Sequence, residues 1–97
     1  MLANLKMSDI PFTEMTAGDY NTYPNSSGQY LIKYIYNNLC YYMICYFWNN
    51  KVDILTGKTL FGFYLDETCE ADMNIEKEWG YIPYAYYKLP HITNEKN

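Results

Sequence analysis

The residues able to do chemistry are few and poorly placed for it. The chain has one histidine, His91, three cysteines, Cys40, Cys45 and Cys69, and no arginine. A Ser-His or Cys-His dyad would depend on His91, which follows Pro90 in a polar tail and reads as solvent-exposed. Cys40 and Cys45 are an odd number of positions apart, so on one strand they point to opposite faces and share neither a metal nor a disulfide. No C-x-x-C pair is present, and the cysteines read as small hydrophobes. The stretch TGKT, Thr56 to Thr59, matches the end of a phosphate-binding loop. It lacks the upstream glycine and a following helical pattern, so it reads as a turn. No catalytic residue, cofactor site or metal site is expected, and the chain is read as non-enzymatic.

The remaining chemistry is charge. Asp66, Glu67, Glu70, Asp72, Glu76 and Glu78 put six acids against the single Lys77. Acid–base catalysis needs two carboxylates in different environments. A calcium loop needs alternate oxygen ligands, a glycine turn and a closing glutamate; this stretch lacks the glycine and carries Cys69 and Met73 among the ligand positions. Two readings remain: a solvated face, or a negative patch for a basic partner. Acids spaced along an aromatic scaffold imitate a phosphate backbone, which attracts nucleic-acid-binding proteins. The net charge of −4 and the missing arginines argue against direct nucleic-acid binding.

Ninety-seven residues suit one domain. Residues 1–90 are read as a single β-rich domain and 91–97 as a polar tail. The fold class expected is α+β to mostly β: an antiparallel meander of four or five strands with a short N-terminal helix or irregular arm. Residues 30–36 and 39–48 are dense in aromatic and β-branched strand formers. Asn37-Asn38 and Asn49-Asn50 separate apolar runs by two residues each, and asparagine tolerates the left-handed backbone of tight hairpin turns. Strands are therefore predicted at 30–36, 39–48, 51–55 and about 59–65. An acidic loop or short helix follows at 66–79. A last strand at 81–90 is predicted at an edge, because Pro83 donates no ladder hydrogen bond. The longest apolar run, Leu39 to Trp48, is ten residues. A membrane helix needs about twenty, so no span is expected. An odd cysteine count without a secretory signal points to a cytoplasmic setting.

Two-residue turns fix the register, and register fixes the faces. Tyr36 should pair with Leu39, Tyr34 with Tyr41, Ile32 with Met43 and Tyr30 with Cys45. Across the second turn Phe47 should pair with Val52, and Cys45 with Ile54. This face is free of charge and is the expected core. The opposite face carries Lys33, Lys51 and Asp53 together with Tyr42, Tyr46 and Trp48. If the sheet has an open side, those three rings form an exposed aromatic row, and Tyr and Trp are enriched in binding hot spots. If it is covered on both sides, they are core.

The segments from Ile10-Pro11, Gly28 to Lys33, Met43 to Trp48, and Trp79, Pro83, Leu89 and Pro90 resemble a family of small domains of unknown function found mainly in phages and prophages. The resemblance covers about half of the chain. It implies a small β-rich domain of mobile-element origin, and it implies no activity. The acidic stretch 66–78 has no counterpart in it. In size, acidity and lack of catalytic residues the chain also resembles anti-CRISPR proteins. The leading expectation is therefore an inhibitor of a bacterial defence protein. Asp66, Glu67, Glu70, Asp72, Glu76 and Glu78 would meet the basic surface of a nucleic-acid-binding nuclease in the host cell, with Tyr42, Tyr46 and Trp48 as anchors. One alternative is a nucleotide-binding sponge, with a tyrosine-lined pocket and Lys33, Lys51 or Lys88 facing phosphate. Another is a structural or regulatory homodimer.

Overall fold

The computed structural model describes residues 9–66 and 73–90. Local chemistry acts most plainly at Asn37 and Asn38, whose φ angles of 52° and 64° are both left-handed. That is the backbone a two-residue primed turn requires. The turn joins β2 (Gly28–Tyr36) to β3 (Leu39–Val52). The register is the predicted one: Tyr36 opposite Leu39, Tyr34 opposite Tyr41, Ile32 opposite Met43, Tyr30 opposite Cys45.

The second Asn-Asn pair does something else. β3 runs straight through Asn49 and Asn50 to Val52, so the strand predicted at 51–55 does not exist as a separate element. Asn50 takes φ 58° and is accommodated by a register shift between Asn49 and Lys51, a bulge rather than a turn. Its amide donates to Asn49 Oδ1 at 2.8 Å, and the Asn49 N–H donates to Ser27 Oγ at 2.8 Å. The chain reverses at Asp53 to Lys58 instead. There the Asp53 carboxylate accepts from the Leu55 N–H and the Thr56 hydroxyl, both at 3.0 Å, and Gly57 takes φ 73°. TGKT is thus part of an exposed turn. Phe47 pairs with Phe63 of β4 (Thr59–Tyr64), not with Val52. Val52 and Ile54, expected in the core, are 57% and 92% exposed. Phenylalanine buries far more apolar surface than valine, so the later pairing is the more stable one.

β5 (Ile82–Lys88) returns antiparallel beside β2, and β1 (Thr13–Glu14) pairs with its outer side, giving the order β1-β5-β2-β3-β4. Strands β2 to β5 thus form a Greek key, and the protein belongs to the mostly β class. β5 is not the outermost strand. β1 pairs with Ala85 and Tyr86, the Met15 N–H donates to the Tyr84 carbonyl at 3.0 Å, and Pro83 lies at the register shift of the β2–β5 ladder, a bulge position that tolerates proline. From residue 9 to β2 the chain is an irregular arm that includes a short 3-10 turn, Tyr20–Thr22, capped by the Asp19 side chain.

The predicted charge-free face packs inward only in its middle, at Tyr30, Ile32, Cys45 and Phe47, while Tyr36, Leu39 and Tyr41 at the hairpin tip stay exposed because the segments that cover the core do not bury them. Ile32, Phe47 and Phe63 lose all exposure, as does Ile75 from the segment after β4. Met15 and Tyr23 of the arm complete the cover. Phe47 and Phe63 lie 4.8 Å apart between ring centroids, with Tyr30 edge-on to both. On the opposite face the described part of the arm supplies a small patch, where Ile10 and Phe12 meet Leu31, Leu89 and Tyr87 and the Phe12 ring lies 6.1 Å from that of Tyr42.

Candidate interaction face

Beyond that patch, β3 carries Tyr42, Ile44, Tyr46 and Trp48 along the second face by strand alternation. Tyr42 is 46% exposed and Ile44 53%. Tyr46 and Trp48 are half-buried and lean on each other, with centroids 4.6 Å apart. The row spans about 20 Å at ~3.3 Å per residue. An ammonium group sits at each end. Lys33 Nζ lies 4.5 Å from the Phe12 ring centroid and 5.9 Å from that of Tyr42, and Lys51 Nζ lies 4.6 Å from that of Trp48. These cation–π contacts hold the rings upright and give the apolar strip a positive rim. Tyr84 of β5 adds a hydroxyl beside Cys40. The hydrogen bond to Cys40, with burial second, holds that hydroxyl above the usual phenol range.

Trp48 Nε1 is buried without an acceptor among the described residues. Such a donor costs about 1–3 kcal/mol. Cys45, on the inner face, is buried, and its thiol is pushed far above the ordinary range by desolvation. Cys40 is exposed, so the two cysteines do point opposite ways.

The acidic segment divides. Glu67, Glu70 and Asp72 lie outside the described residues, as do Cys69 and His91. Asp66 and Glu78 are exposed. Glu76 turns inward: the Tyr23 hydroxyl donates to its Oε2 at 2.6 Å, and itself accepts from the Gly18 N–H at 3.0 Å. Burial raises the Glu76 pKa against the lowering effect of that bond. Burial also leads the upward shift of Tyr23, reinforced by the bond to Glu76. The local cause is Asn74, buried, whose Oδ1 accepts from the Glu76 and Lys77 N–H groups at 3.1 and 2.9 Å and bends the chain back under the sheet. Glu76 therefore belongs to the fold's interior bonding and not to a surface patch.

A second aromatic group was not legible beforehand. At the hairpin-tip end of the inner face Tyr34 stacks on Tyr81 at 4.4 Å and on Tyr41 at 5.5 Å, and Tyr36 and Trp79 meet Tyr81 edge-on. Tyr36, Tyr41 and Trp79 remain over a third exposed, because the covering arm ends before this point. The only sequence hint was the density of rings in WGYIPY.

The lysines named for a nucleotide site do not converge. Lys33 and Lys51 stand at opposite ends of the row. Lys88 lies on the inner-face side, over Tyr30, donating to Ser26 Oγ at 2.8 Å. A cleft of about 500 Å³ lies over Gln29 and Tyr46, with Asp66 and Leu89 on its walls. Among the described residues there is no cluster of three or more His, Cys, Asp or Glu able to hold a metal, and no helix long and apolar enough to cross a membrane. What the arrangement supplies is a partly exposed aromatic row with a lysine ammonium at each end. Comparison with known proteins returned no matching family model, no matching curated protein and no matching solved structure.

Proposed function

We propose that this chain is a non-enzymatic binding protein of phage type that inhibits a bacterial defence protein by docking on the uncovered face of its sheet. The observation that carries the reading is the row Tyr42, Ile44, Tyr46 and Trp48, which among the described residues the arm meets only at Tyr42, through Phe12, and in which Tyr42 and Ile44 are about half exposed. Tyr42 and Trp48 are the anchors, since aromatic side chains near the centre of a contact carry most of its energy. Asp66 and Glu78, with the neighbouring acids 67, 70 and 72, steer a basic partner toward this surface and set the salt dependence of association. Glu76 takes no part in that steering.

The test is a binding titration of the purified chain against purified defence nucleases with basic nucleic-acid grooves, with inhibition of cleavage as a second readout. Tyr42→Ala or Trp48→Ala should weaken binding by roughly thirtyfold, the scale of a hot spot. Reversing Asp66, Glu70 and Glu78 to lysine should slow association and flatten its salt dependence. Binding that survives both sets of changes overturns the reading.

A further inference from the structure

We infer that a second copy of this chain pairs along residues 39–45 of β3, joining two sheets edge to edge about a two-fold axis at Tyr42. The inference concerns the backbone edge and does not rest on the reading above. β2 covers one side of β3 from Leu39 to Phe47. β4 covers the other side only from Tyr46 to Val52. Among the described residues, no strand lies against the outer side of 39–45.

The direction of the backbone groups follows from the turn. Tyr36 and Leu39 flank a two-residue loop and exchange hydrogen bonds, so Leu39, Tyr41, Met43 and Cys45 point their amides and carbonyls at β2. Cys40, Tyr42 and Ile44 point theirs outward. Tyr46, next in that series, is the first residue to pair with β4, as the parity requires. Sheets normally protect such an edge with a charge, a proline or a bulge. Residues 39–45 contain no charged residue and no proline, and the bulge of β3 comes later, at Asn49 to Lys51.

The occupant that fits is an uncharged extended strand about seven residues long, and this segment meets that description itself. The window is closed by the hairpin tip at one end and by Tyr64, the last residue of β4, at the other. Its midpoint is Tyr42. An antiparallel copy centred there sets Tyr42 against Tyr42 of the second copy, and Cys40 against its Ile44. At two bonds per pair, about six backbone hydrogen bonds form. On the other face Tyr41 meets Met43, apolar against apolar. No charges oppose one another across the paired strands themselves, because none lies in residues 39–45, and Asp66 stands beside Ile44 at the end of the window. The joined sheet brings two open aromatic faces side by side.

Sedimentation of the full chain over a concentration series tests this. The wild type should show a monomer–dimer equilibrium. Ile44→Pro removes an outward N–H without touching the β2 ladder and should give a monomer with an unchanged strand signature in circular dichroism. Cys40→Pro provides the same test if Ile44→Pro unfolds. Trp48→Ala, on the open face but outside the window, should leave the dimer intact. In a Cys69→Ser background, Ile44→Cys should oxidise to a dimer through Cys40 of the other copy. The Cα separation of a hydrogen-bonded antiparallel pair, about 5.5 Å, is within disulfide reach. A wild type that stays monomeric throughout the series overturns the inference. So does a dimer that survives both proline variants, or one that Trp48→Ala abolishes.

Discussion

The two faces of this sheet are built from the same kinds of residue and differ in what lies over them. Both are rich in tyrosine. The inner face is closed by Met15, Tyr23 and Ile75, and there Ile32, Phe47 and Phe63 are sealed. Among the described residues the outer face receives only Ile10 and Phe12 of the arm, so Tyr42 and Ile44 stay about half exposed. Aromatic content alone therefore does not separate core from contact surface. The separation comes from which face the arm and the segment after β4 can reach, and from the two lysines that solvate the outer one.

Truncation should break this contrast most sharply. Phe63→Ala is expected to cost about 3–5 kcal/mol in urea unfolding, through lost transfer energy and a residual cavity. Ile44→Ala should cost within about 0.5 kcal/mol, as for an exposed site. Equal costs would mean that the outer face is also packed. A smaller effect probes the seam beneath the inner face. Tyr23→Phe removes the donor to Glu76 and the acceptor of the Gly18 N–H, and should cost about 1–3 kcal/mol.

Acidity sharpens the same seam. Because burial raises the pKa of Glu76, the folded state binds its proton more tightly than the unfolded state does. The contribution of this group to stability is then greatest at low pH and falls as pH rises through the raised pKa. Glu76→Gln, which keeps an acceptor for Tyr23, should flatten that part of the stability–pH profile measured by thermal unfolding. An unchanged profile would place the carboxylate in water. A small effect is also expected on the outer face. Trp48→Phe gives up some buried area but also removes an N–H with no acceptor among the described residues, so its net cost should stay within about 1 kcal/mol.

Much of the fold was legible because local rules agreed with one another around Asn37-Asn38. Two left-handed asparagines, a two-residue spacing and alternation of charge set the hairpin, its register and the inward face. The identical dipeptide at 49–50 misled for a physical reason. Asn50 is left-handed there too, but a bulge and a turn share that backbone state, and a distant strand chose between them. Phe61 and Phe63 offered β3 more buried aromatic surface than Val52 and Ile54, and no local rule near residue 50 contains that information. The same holds for Glu76, one acid among six in sequence, which only Asn74 and Tyr23 set apart.

By itself, then, the sequence determined an antiparallel hairpin with one uncharged side and cysteines on opposite faces. The tertiary structure decided which rings were sealed, which acid was drawn inward, and how far β4 extends along β3. Those outcomes depend on competition between segments far apart in the chain for one limited apolar surface, and a competition of that kind is settled only when all the segments are present together.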